Sequence, residues 1–346
     1  MPRSDVLPHS DALTRPTVET MPAPPVVSVG ARRLVVVFGA LVTVTIASIA
    51  LFLTWGVDGH WDFALPRRLE QLVALAVVGV AVAVSTVVFQ TLTENRILTP
   101  AIMGFDALYV LLATTLVFVL GAPRVAEFSS LLMFGVNTVM LVAVATLGYR
   151  WVLGDSSRGL YTLVLVGVIA STLFGSLTSF MFRVMDPNEF DSLMTVLFAS
   201  FNVIDTSALR VATILLVLGI GAAVRMVPTL DVLTLGRNTA IGLGVDYRPT
   251  VTRLLIIVAG LVAVSTALVG PIVFLGLLVA NLAYQLTRMQ RHAVTLPAAS
   301  LIAVTALVLG QAVLQHVLHF NATLGSIINL VGGVYFVGLL IRESRS

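Results

Sequence analysis

His316 and His319 are the one pair of histidines spaced to put two rings on the same face of a helix. A metal site there would need carboxylates or more imidazoles, and none stands nearby in the sequence. The chain has no cysteine, which excludes thiolate nucleophiles, disulfides and thiolate metal sites. It has no lysine either, since all 20 basic residues are arginine. A Walker A loop needs lysine on the nucleotide phosphates, so this chain holds no standard P-loop. Lysine Schiff-base chemistry is excluded on the same ground. Neither a Gly-x-Ser-x-Gly nor a His-Glu-x-x-His motif occurs. These residues do not point to an enzyme, and no metal or cofactor is expected.

The elements around them explain the scarcity. The chain is 58% hydrophobic and 11% charged, against about 25% charged in soluble domains. Residues 34–53 carry no charge, and a stretch of about 20 such residues crosses a bilayer core of about 30 Å. Nine more apolar runs lie near 68–89, 101–120, 127–147, 160–182, 207–225, 251–269, 271–287, 294–315 and 326–341. The sequence therefore predicts an all-α polytopic membrane protein with about ten transmembrane helices. Residues 1–31 hold six prolines and read as a disordered tail; the membrane domain follows over 32–346. An even number of spans puts both termini on one side. Fifteen of the 20 arginines then fall on the side of the termini, which the positive-inside rule makes cytoplasmic. The net charge of +3 is thus a topology signal rather than a nucleic-acid footprint.

Two connections exceed simple turns. Residues 183–206 lie on the outer side and include an amphipathic stretch from Phe190 to Phe201. Residues 226–250 lie on the inner side and read as two short helices broken at Gly236 and closed by Gly244. Proton- or sodium-coupled transporters carry ionisable groups near the bilayer midplane. Here Glu70, Glu127, Arg210, Arg253 and Arg342 all sit near span ends. Asp106 sits one or two turns into its span, where the helix dipole and Arg96 can stabilise it. An ion-coupled secondary transporter is therefore the weaker class, and a separate ATPase subunit is the stronger source of energy.

Four stretches carry a resemblance. Leu65-Pro66-Arg67 leads into a span with Gln90, then Asn95, Pro100 and Met103-Gly104. Leu230 to Gly236 is followed by Ala240 and Leu243-Gly244. Gly270-Pro271-Ile272-Val273-Phe274-Leu275-Gly276-Leu277 comes next, and Gly332-Gly333-Val334-Tyr335-Phe336 closes the series. Together they resemble the permeases of iron–siderophore and vitamin B12 ABC importers, the FecCD family, and most of all its siderophore branch. The likeness runs over roughly 34–342. There are departures. Ala280, Asn281 and Tyr284 replace a Pro-His-x-x-Arg pattern, Val334 replaces a proline, and Ala64 replaces an arginine.

The resemblance implies a type II ABC importer permease fold. It also implies ABC ATPase subunits inside, a second permease chain (a different one favoured over a copy) and an extracytoplasmic siderophore-binding protein. It places the chain in a bacterial inner or plasma membrane. Arg67 and Arg68 are then expected to receive carboxylates of the binding protein, since arginine offers a permanently charged fork. Asp231, Leu233, Leu235, Gly236, Arg237, Ala240, Leu243 and Gly244 are expected on the ATPase-coupling loop. There Leu233, Leu235, Ile241 and Leu243 would be exposed for insertion into a groove, with Asp231 and Arg237 fixing register. The pathway is expected between subunits, with a weakly polar lining that does not trap its cargo. Its candidates are Ser85, Thr86 and Gln90 on the second span and Ser171, Gly175 and Thr178 on the fifth. Asn95 and Asp106 are candidates for an inner gate. Vitamin B12 and haem are the competing cargoes.

Overall fold

The computed structural model describes residues 28–57, 59, 61–154, 160–197, 201, 204–319 and 322–343. In chain order the helices are α1 Ser28–Thr54, α2 Trp61–Leu92, a 3-10 turn Pro100–Met103, α3 Phe105–Leu120, α4 Ala122–Glu127, α5 Ser130–Gly154 and α6 Leu160–Val184. They continue with α7 Pro187–Leu197, α8 Thr206–Arg225, α9 Val227–Leu233, α10 Arg237–Gly242, α11 Tyr247–Val269, α12 Leu275–Thr287, α13 His292–His316 and α14 Leu324–Glu343. Lipid offers the backbone no hydrogen bonds, so apolar runs must satisfy theirs internally as helices. Among the described residues, seven helices are long and apolar enough to span: α1, α2, α5, α6, α8, α11 and α13. Three shorter apolar helices, α3, α12 and Leu324–Gly338 of α14, match the remaining three runs. Helix α1 begins at Ser28, inside the stretch expected to be a tail; residues 1–27 lie outside the described residues.

Contacts at the two ends show alternating directions. At one end Arg33 of α1 donates to the Leu286 carbonyl of α12, and Thr91 of α2 meets His292 of α13. At the other end Arg68 of α2 bonds the end of α1, and Trp55 stacks on His316 at 4.7 Å. Helix α2 is the centre. It packs on α11, α13, α12 and α8 and is buried over most of its length, whereas α1 and α6 expose most of theirs. Gly79 lets α13 approach closely: a Cβ there would lie 3.2 Å from the backbone nitrogen of Val304.

Two expected spans are broken. The run over 101–120 is a 3-10 turn that ends at Gly104, whose φ of 92° is left-handed, and only then does α3 begin. The run over 271–287 becomes helical only at Leu275. Gly270, with φ of 91°, and Pro271 turn the chain, and the segment to Phe274 is non-helical. Such backbone is tolerated at membrane depth where protein covers it, and here α2, α3 and α11 do. The Met103-Gly104 step rests on α6, with a Gly104 Cβ position 3.2 Å from the Ser171 Cα and a Gly167 Cβ position 3.1 Å from the Met103 Cα.

Gly276 opens α12 directly against Thr86 of α2. A Gly276→Ala substitution puts a methyl into the Thr86 side chain and should cost about 1–3 kcal/mol. The expected result is a lower thermal midpoint in detergent, partly recovered by adding Thr86→Ala.

Candidate coupling, docking and translocation sites

The chain between α8 and α11 turns twice, at Gly236 (φ 87°) and Gly244 (φ 85°), both left-handed. Helices α9 and α10 lie between. Leu235, Ile241 and Leu243 are 57%, 48% and 61% exposed, three large apolar groups presented by one loop. Leu233 was expected with them but is 4% exposed; with Leu230 and Ala240 it anchors the loop in the core. The reason is helical period: Leu230 and Leu233 are three apart and share the inner face of α9.

Asp231 also turns inward. Its Oδ1 accepts from the His292 backbone N–H at 2.8 Å and pairs with His292 Nδ1 at 2.7 Å. The other ring nitrogen, Nε2, lies 2.7 Å from the Thr91 hydroxyl. A continuous polar chain thus ties the loop to the start of α13 and the end of α2. His292 was missed by sequence reasoning. It looks isolated in the sequence, and only its position at the start of a span hinted at a cap. Arg237 is exposed and lies over the Tyr247 ring, 5.5 Å from its centroid.

The two outer arginines differ. Arg67 is exposed. Arg68 is half-buried and donates to the carbonyls of Phe52 and Leu53 at 2.9 and 3.1 Å. It satisfies the end of α1, where a cation suits the helix dipole. Arg68→Ala should therefore lower thermal stability by about 1–2 kcal/mol. Arg67→Glu should weaken docking of the binding protein in a salt-dependent way. Equal docking by Arg67→Glu at low and high salt would remove that role.

The pathway candidates separate by helix. Ser85, Thr86 and Gln90 are only 1–2% exposed because α2 is the centre of the subunit; they cannot line a face shared between subunits. Gln90 donates to the Arg96 carbonyl at 2.6 Å, and Ser85 and Thr86 face a small internal cavity. On α6, Ser171 and Gly175 are half-buried and Thr178 is buried. The exposed hydroxyls there are Thr172, Ser176 and Ser179. Their i, i+4, i+7 spacing marks one helix face and was the signal available in the sequence. Asn95 is exposed and accepts from the Ile97 N–H at 2.9 Å, as a turn former does. Asp106 faces the same cavity as Ser85 and Thr86.

The FecCD transport family model matches residues 32–342. The chain belongs to that family. Two relatives of this FecCD protein are petrobactin import permeases. YclO of Bacillus subtilis is 42% identical over 306 residues, covering 88% of this chain and 97% of YclO. FatC of Bacillus anthracis is 34% identical over 277 residues, covering 80% of this chain and 78% of FatC. A solved structure described as a metal-chelate type ABC transporter in an inward-facing conformation superposes with a TM-score of 0.75. It is 22% identical and covers 91% of this chain and 99% of that one. The FecCD chain thus has the architecture of an ABC importer permease and is a multi-pass membrane protein.

The FecCD motifs that stand far apart in the sequence meet in the fold. A Cβ at Gly332 would run into Phe274, so the closing Gly-Gly motif is the bed for the phenylalanine of the Gly-Pro motif. The Phe336 ring lies 6.1 Å from the Phe274 ring. The departures in α12 are compensated locally. Asn281 donates to the Arg96 carbonyl at 3.2 Å, and the Arg96 guanidinium lies 4.8 Å from the Tyr284 ring centroid. Val334 is 68% exposed, so no packing here demands a proline at that position.

Proposed function

We propose that this FecCD permease is the transmembrane channel subunit of an ATP-driven importer for ferric siderophores of the petrobactin class. The observation that carries the reading is the two petrobactin import permeases, one matching 97% of its own length at 42% identity. A permease without a nucleotide site needs ATPase subunits, and exposed Leu235, Ile241 and Leu243 offer them an apolar foothold. The hydroxyl-bearing face of α6 supports a pathway completed by a second permease chain. Its weakly polar surface suits a large, charged cargo that must not be held. An extracytoplasmic binding protein docks near Arg67, and both termini face the cytoplasm, in keeping with the arginine bias.

The test is uptake of iron-55 petrobactin and labelled vitamin B12 by iron-starved cells with and without the gene. Loss of petrobactin uptake alone, restored by the intact gene, is the expected result. Loss of B12 uptake alone would change the cargo, and unaffected uptake of both would overturn the reading.

A further inference from the structure

Asp106 lies just past the break at Gly104, in the first turn of α3. Its Oδ2 is buried without a hydrogen-bond partner. It lines a cavity of about 30 Å³ together with Ser85, Thr86, Thr99, Ser265 and Thr266. Thr86 precedes the end of α2 by about 9 Å of helix rise, so the cavity lies toward the inner end of that span. A space of this size takes about two water-sized occupants.

A carboxylate oxygen buried without a partner is costly unless its charge is matched. The surrounding groups indicate the match. The Ser85 hydroxyl donates to the Val82 carbonyl at 3.1 Å, and the Ser265 hydroxyl donates to the Val262 carbonyl at 2.9 Å. Both have placed their proton on their own helix and present only lone pairs elsewhere. A proton on Asp106 would use one such acceptor. A cation uses several at once, and hard oxygen donors suit it. One carboxylate balances one positive charge; a divalent ion would leave a surplus. The N-terminus of α3 further favours the ionised carboxylate.

We propose that Asp106 and the hydroxyls of Ser85, Thr86, Ser265 and Thr266 bind one monovalent alkali cation such as sodium. The ion bridges α2, α3 and α11 next to the Gly270 turn and holds these elements together. The site is independent of the cargo, and its readout does not involve transport.

The experiment uses the full chain purified with its ATPase subunits. Thermal stability and sodium-22 retention are measured in sodium, potassium and choline chloride at equal ionic strength. Sodium is expected to raise the midpoint saturably and to be retained at one ion per chain. Asp106→Asn should abolish both responses. Ser265→Ala should raise the half-saturating sodium concentration about tenfold, and it serves if Asp106→Asn does not fold. Identical behaviour of the wild type in sodium and choline would overturn the proposal and put a proton on Asp106. Retention of the sodium response by Asp106→Asn, or an unchanged midpoint concentration in Ser265→Ala, would also overturn it.

Discussion

Replacing Leu235 and Leu243 with aspartate is expected to release the ATPase subunits from the detergent-purified complex. Both side chains stand more than half exposed on a loop that Leu230, Leu233 and Ala240 pin to the core. Burying a leucine at an interface contributes about 1.5–3 kcal/mol. Losing two removes roughly 3–6 kcal/mol, a factor of about 10² to 10⁴ in affinity. Aspartate adds a charge that must be desolvated in the partner's groove. The helices of the permease should be unaffected, because neither leucine belongs to its core. Co-purification with a tagged permease reads the result directly. Stoichiometric ATPase on the double variant would remove the coupling role of this loop.

The second large effect concerns transmission rather than attachment. Asp231→Ala should leave the ATPase bound and lower ATP hydrolysis stimulated by the binding protein at least tenfold. Asp231 holds the loop to His292, which is 1% exposed and reaches Thr91. Removing the carboxylate leaves a buried imidazole N–H and a backbone N–H unpaired, at a cost of about 1–3 kcal/mol each. A loop so loosened still offers its leucines, but its movement no longer drives α13 and α2 together. Asp231→Asn, which keeps an acceptor for the ring N–H, should recover part of the stimulation. Equal stimulation in Asp231→Ala and wild type would make this chain of bonds merely structural.

The sequence makes the helical class and the ten apolar runs legible because a bilayer allows few solutions to the backbone's hydrogen-bonding needs. The FecCD motifs are legible too, as spacings of glycine, proline and phenylalanine. What each motif touches is not. Gly276 and Thr86 are far apart in the chain, and only packing makes the glycine obligatory. Leu233 and Leu235 look alike in sequence, yet one is core and the other surface, since a short helix ends between them. Arg67 and Arg68 are chemically identical neighbours. The carbonyls ending α1 hold Arg68, and those carbonyls are invisible before the fold is known. Ser85, Thr86 and Gln90 carry the same residue types that line pathways and pack helices, so their burial depends on where α2 sits.

The central place of α2 has a consequence for biosynthesis. This helix emerges second, but its partners α11 and α13 lie beyond Tyr247. At about 5–20 residues per second, the ribosome needs on the order of ten seconds or more to reach them. Throughout that interval Ser85, Thr86 and Gln90 stand in lipid or against the insertion machinery without their eventual neighbours. The uninterrupted apolar character of α2 around them lets the helix wait. A nascent chain stalled before α11 should therefore be an inserted but unpacked protein and a ready substrate for membrane proteases.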